Sequence, residues 1–122
     1  MRPPNSQVTS AMFQVLLALH GGERHGYGIM REIAERTQGQ ERIGAATLYR
    51  TIKRLLEASF IEETVERPDP ELDDERRRYY RVTGLGEQVA RDEALRLAKL
   101  LESAYQKRLL ERPGSGAVTS ST

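Results

Sequence analysis

Ala45-Ala46-Thr47-Leu48-Tyr49-Arg50-Thr51-Ile52-Lys53-Arg54-Leu55-Leu56-Glu57-Ala58 decides how the rest of the chain is read. Leu48, Ile52, Leu55 and Leu56 recur at helical spacing and would face inward, leaving Thr47, Arg50, Thr51, Lys53 and Arg54 outside. Arg50, Lys53 and Arg54 stand at i, i+3 and i+4, so their charges share one face. Such a helix fits the major groove of DNA. Arginine grips guanine edges or phosphates through paired hydrogen bonds, and lysine brings mobile charge to the backbone. Taken alone, the same triplet also describes an ordinary solvated helix face. Gly44 precedes the helix as its N-cap, where bare backbone amides could meet a phosphate.

Two helices come before this one. The first is predicted over Gln7 to His20, with Val8, Met12, Val15, Leu16 and Leu19 at helical spacing and Gly21-Gly22 ending it. The second is predicted over Tyr27 to Arg36, with Tyr27, Met30, Ile33 and Ala34 on its apolar face. Two strand candidates follow, Phe60 to Glu66 and Arg78 to Thr83, both rich in aromatic or β-branched residues. The acidic, proline-bearing stretch Arg67 to Arg77 between them reads as a long hairpin loop. A last helix is predicted over Leu85 to Leu110. Its stripe of Val89, Ala94, Leu97, Ala98, Leu101, Ala104 and Tyr105 lies near coiled-coil spacing.

Three helices followed by a hairpin make a winged helix-turn-helix, so the fold class is mainly α with a small β wing. The apolar stripe on the terminal helix needs a surface to cover it, and a second copy of the chain is the simplest one. The organisation expected is a winged-helix domain over 7–83, a dimerisation helix over 84–111 and a flexible tail over 112–122. Arg2 to Ser6 is a polar lead-in.

A chain of 122 residues suits one domain and buries about two thirds of its unfolded surface. It has no cysteine, which excludes disulfides and thiolate metal sites and fits the reducing cytoplasm. No secretory leader is visible near Met1, and the longest apolar run, Val15 to Leu19, is far too short for a membrane span. Net charge is +1, unevenly spread. Met1 to Phe60 carries 8 basic and 5 acidic residues, Ile61 to Glu75 carries 1 and 8, and Arg76 to Thr122 carries 10 and 5. Local charge therefore says more than bulk charge about a polyanionic partner.

The second half of the hairpin carries Arg76, Arg77 and Arg78, suited to a phosphate backbone or minor groove. Some of these arginines are expected to pair across the hairpin with Glu62, Glu63 or Glu66, leaving the others for DNA. Asp69, Glu71, Asp73 and Glu75 alternate like calcium-loop ligands, but Asp74 replaces the turn glycine and Tyr80 the bidentate glutamate, so no metal is expected. Tyr27 and Tyr49 can each bury a ring and direct a hydroxyl to a phosphate. For Tyr27 its apolar face favours a core ring, and for Tyr49 the two readings stand level. His25 reads as a helix-start or turn residue and His20 as a surface residue.

Three motifs add a resemblance. His25-Gly26-Tyr27-Gly28-Ile29, Ala46-Thr47-Leu48-Tyr49-Arg50 and Asp74-Glu75-Arg76-Arg77-Arg78-Tyr79-Tyr80-Arg81-Val82-Thr83 occur in the order and spacing of the PadR family, which the chain resembles from Val8 to the end of the last helix. The resemblance implies a winged helix-turn-helix, dimerisation through the C-terminal helix and repression of promoters. With a single C-terminal helix the chain is similar to the compact branch, in which small aromatic effectors are sometimes sensed near the dimer interface. It departs from the family pattern at Ala45-Ala46 (more usually Pro-Gly), at Ser59 (often a helix-ending glycine) and at Gly84-Leu85-Gly86. It has no tryptophan for a ligand mode built on paired indoles.

An enzyme is not expected: there are two histidines, no cysteine, no nucleophile elbow and no phosphate-cradling glycine loop. No cofactor is expected either. The serious rival is a winged-helix protein–protein adaptor that does not bind DNA. The basic face of Arg50, Lys53 and Arg54 argues against it.

Overall fold

The computed structural model describes residues 8–40, 43–64 and 78–114. In chain order the elements are α1 (Ser10–His20), β1 (Arg24–His25), α2 (Gly26–Arg36), α3 (Ala45–Glu57), β2 (Ile61–Glu63), β3 (Tyr79–Val82) and α4 (Gly84–Gln106). The fold is mostly helical with one three-stranded antiparallel sheet, as expected of a winged helix.

Helix α1 starts later than its apolar spacing suggested, at Ser10. Thr9 stops it there, its hydroxyl accepting the Met12 N–H at 3.1 Å as an N-cap. Met12, Val15, Leu16, Ala18 and Leu19 are buried. They meet Ile29 and Ile33 of α2, Leu48, Ile52 and Leu55 of α3, and Phe60, Ile61, Tyr80 and Val89 in one core.

Two inward faces differ from the sequence reading. On α2 the buried pair is Ile29 and Ile33, while Met30 and Ala34 are half-buried and Tyr27 is 58% exposed. The helix is turned about one residue from the expected face: its buried stripe runs through Gly26, Ile29 and Ile33, at i, i+3 and i+7. On α3, Thr51 is 6% exposed rather than outside. It lies three residues after Leu48 and four before Leu55, which puts it in the buried stripe.

The sheet order is β1-β3-β2. Strand β1 has two residues and no apolar run. It exists because Arg24 and His25 pair with Tyr80 and Tyr79. Strand β2 pairs Ile61 with Val82, Glu62 with Arg81 and Glu63 with Tyr80.

Helix α3 ends in a Schellman turn. The Ser59 N–H donates to Leu56 O (3.0 Å) and the Phe60 N–H to Leu55 O (2.9 Å), with Ser59 at φ +66°. The family pattern favours glycine at this point, and the conformation shows why: a left-handed residue with a Cβ costs roughly 1–2 kcal/mol.

Helix α4 stops at Gln106, short of Leu110. Arg108 turns left-handed at φ +64°, and the Leu109 N–H donates to Ala104 O at 2.9 Å. No glycine marks that turn in the sequence.

Candidate nucleic-acid interface

The outer face of α3 is laid out as its spacing predicted. Thr47, Arg50, Lys53 and Arg54 are all exposed. Arg50 donates from Nη2 to Thr47 Oγ1 at 3.3 Å, which brings these two outer-face residues together. Among the described residues, no carboxylate pairs with Arg50, Lys53 or Arg54. Gly44 is the exposed N-cap and, being glycine, has no side chain to cap the first-turn amides.

Tyr49 and Tyr27 are both exposed. Tyr49 is 37% exposed, and its ring covers Gly26, where a methyl group would lie 2.5 Å from the phenol oxygen. A side chain at Gly26 would require the Tyr49 ring to move. Tyr27 is outside the core, against the expectation from its apolar neighbours. Its ring lies 6.3 Å from that of His25, and the Arg31 guanidinium lies 6.0 Å from its centre. His25 is indeed a helix-start residue: its Nδ1 accepts the Gly28 N–H at 3.0 Å and caps α2. The cap is legible in the sequence only as a polar residue before Gly26. Its contact with Tyr79 across the sheet, at 5.3 Å, is not.

The hairpin is different in kind. Arg78 donates to both Glu63 carboxylate oxygens at 3.1 and 3.2 Å, and Arg81 donates from Nε to Glu62 at 2.7 Å. Glu63 is thus engaged as the sequence suggested, while Arg81 was not foreseen as Glu62's partner. Arg76, Arg77, Glu66 and the acidic series Asp69 to Glu75 lie outside the described residues. Beneath the hairpin, burial pushes the Tyr80 phenol above its ordinary range, with nearby Glu63 adding to the effect, so the hydroxyl stays protonated.

Helix α4 leaves the body of the protein partway along its length. Val89, expected at a dimer interface, is only 4% exposed and belongs to the protomer's own core. It lies in the first turns of the helix, which are packed against the rest of the chain. Beyond Glu93 the helix is uncovered: Ala94, Leu97, Ala98 and Leu101 are exposed, and so are Leu95 and Leu100, which widen the apolar face. Ala104 and Tyr105 are half-buried, because the following chain folds back and sets Arg112 over the Tyr105 ring (5.0 Å) and against Glu102. The Arg96 guanidinium holds the Glu93 carboxyl below the usual carboxylate range by hydrogen bonding.

Among the described residues no cluster of His, Asp or Glu could hold a metal ion, and no helix is long and apolar enough to cross a membrane.

A three-helix core, a β hairpin and an exposed cationic third helix define the winged helix-turn-helix class. The family model for the transcriptional regulator PadR-like family matches residues 15–92. The chain belongs to this family, which is one of transcription regulators and not of enzymes. Solved structures with the same fold include a transcriptional regulator from Clostridium thermocellum, at 22% identity and TM-score 0.67, covering 88% of this chain and 97% of that one. A PadR family transcription regulator from Clostridium difficile aligns at 19% identity and TM-score 0.61 over 84% of this chain and 100% of that one. Bacillus subtilis PadR, solved in complex with operator DNA, aligns at 22% identity and TM-score 0.61 over 70% of this chain and 48% of its own. No curated protein sequence matches the chain.

Proposed function

We propose that this chain is a sequence-specific DNA-binding repressor that works as a homodimer. The observation that carries the reading is the outer face of α3, where Arg50, Lys53 and Arg54 are exposed and unpaired with any described carboxylate. In this reading Arg50 and Thr47 read base edges. Lys53, Arg54, Tyr49, Tyr27 and the amides after Gly44 hold phosphates, with Arg76 and Arg77 following the backbone from the wing while Arg78 stays on Glu63. Support for the dimer comes from the uncovered leucines of α4, since a contiguous apolar face on a projecting helix marks an interface. Two copies of α3 then enter successive major grooves, about one helical turn apart on a palindromic operator. Operator binding by Bacillus subtilis PadR supports the same mode.

Release by a small aromatic effector belongs to the same reading through the family resemblance. The groove between α1 and α4, lined by Phe13, Leu17, His20 and Ala94 among others, has about 190 Å³. That is less than the ~300 Å³ from which ligand pockets start, so an effector would need walls from the partner copy.

Fluorescence anisotropy against the duplex upstream of the chain's own gene, with a scrambled duplex beside it across a salt series, tests the proposal. A preference of about a thousandfold at physiological salt is expected. Equal, steeply salt-dependent binding to both would leave a nonspecific binder. No binding by a folded dimer would favour the adaptor.

A further inference from the structure

We infer that Thr83 is a positioning residue: it pins the first turn of α4 to the end of the recognition helix α3 and thereby sets the half-site spacing the dimer accepts. The inference rests on the DNA-binding reading above.

Three hydrogen bonds and one close approach make the joint. The Thr83 hydroxyl donates to the Ser59 carbonyl oxygen at 2.7 Å while accepting the Gly86 N–H at 3.0 Å. One hydroxyl has one donor and two acceptor sites, so it can do both at once. The Thr83 backbone N–H donates to the Phe60 carbonyl at 3.0 Å. Gly86, buried, lies so close to that same carbonyl that any Cβ there would collide with it. Ser59 and Phe60 are the two residues of the turn that ends α3, and Ser59 is the one held left-handed without being glycine. Backbone in such a conformation persists only where its surroundings dictate it.

On its other side α4 packs on α1 through Val89, with an open groove of about 190 Å³ beside Ala90 and Ala94. The Thr83 joint, at the root of the helix, is where its angle to the end of α3 is fixed. From Thr83 to Leu101 the helix runs about 27 Å, so a rotation of about 7° at the joint would displace the apolar face by about 3.4 Å, the rise of one base pair. An angle held by a hydroxyl and a Cβ-free contact is thus converted into spacing between two recognition helices.

Three variants separate the joint from the cap. Thr83→Val loses both hydroxyl bonds. Thr83→Asp keeps an acceptor for the Gly86 N–H but has no donor for Ser59. Thr83→Ser keeps both. The wild-type dimer first selects its palindrome from a random duplex pool. Affinities are then measured for that palindrome, for versions with one base pair added or removed at its centre, and for a single half-site, with dimer mass followed by sedimentation.

The expected result is that wild type and Thr83→Ser prefer the selected spacing by about tenfold or more. Thr83→Val and Thr83→Asp should fall within about twofold across spacings, with dimer mass and half-site affinity unchanged. If Thr83→Val does not fold, Thr83→Asp decides. Spacing preference retained by Thr83→Asp would overturn the inference. So would parallel loss of half-site affinity and folding, which would make Thr83 merely structural. A wild type that selects no sequence would sink the DNA-binding reading itself, an outcome distinct from a wild type that selects one while the variants keep its spacing.

Discussion

The outer face of α3 and the β2–β3 hairpin carry the same kind of residue and use it oppositely. On α3, Arg50, Lys53 and Arg54 have no described carboxylate partner: the helix holds one acid, Glu57, and although it stands at i+4 from Lys53 and i+3 from Arg54 it forms an ion pair with neither. On the hairpin, the register Glu62↔Arg81 places a carboxylate directly opposite a guanidinium, and Arg78 reaches Glu63 diagonally. A cation already paired gains less from a phosphate, since it must first give up its partner. Counting basic residues therefore overstates the wing and understates the helix.

The comparison can be broken most sharply at Arg50. Arg50→Ala should weaken specific binding by about 1–3 kcal/mol and relax preference at one operator position, while leaving nonspecific binding largely intact. A uniform loss across all sequences, measured by anisotropy with operator variants, would move Arg50 from base reading to phosphate contact.

Lys53→Ala and Arg54→Ala should each weaken binding to every duplex alike and lower the slope of log affinity against log salt by about 1. An unchanged slope in both would remove these cations from the interface.

Presentation of the α3 face can be sharpened at its C-terminal turn. Ser59→Gly relieves the left-handed conformation and should raise stability by about 1 kcal/mol, roughly 4 °C in Tm for a domain of this size. A calorimetric loss instead would mean that the serine side chain contributes more than its strain costs.

The smallest effect is expected on the wing. Because Arg78 is held by Glu63 at a half-exposed site, Arg78→Ala should change stability by less than about 1 kcal/mol and operator affinity by less than about threefold. A loss matching that of Arg50→Ala would erase the distinction between the two regions.

Much of the fold was legible because period and composition are local properties. The stripe of Leu48, Ile52 and Leu55 defines α3 with its true ends to within a residue, and the cationic face follows from the same period. What was missed depended on neighbours. Tyr27 shares a period with apolar residues yet stands outside, because α2 turns the stripe of Gly26, Ile29 and Ile33 to the core instead. Thr51 was assigned outside on polarity although its spacing belongs to the buried stripe.

The amino-acid sequence by itself determined the order of the four helices and the two hairpin strands, the cationic outer face of α3 and the family, all of which reside in periodicity and short motifs. Only the tertiary structure decided which arginines are already paired, that two residues at Arg24–His25 form a third strand, and that Val89 is spent inside the protomer while Leu95 and Leu100 are left outside. The physical reason is common to all three. Pairing, strand registry and burial are properties of groups brought together from distant parts of the chain, and no local period records them.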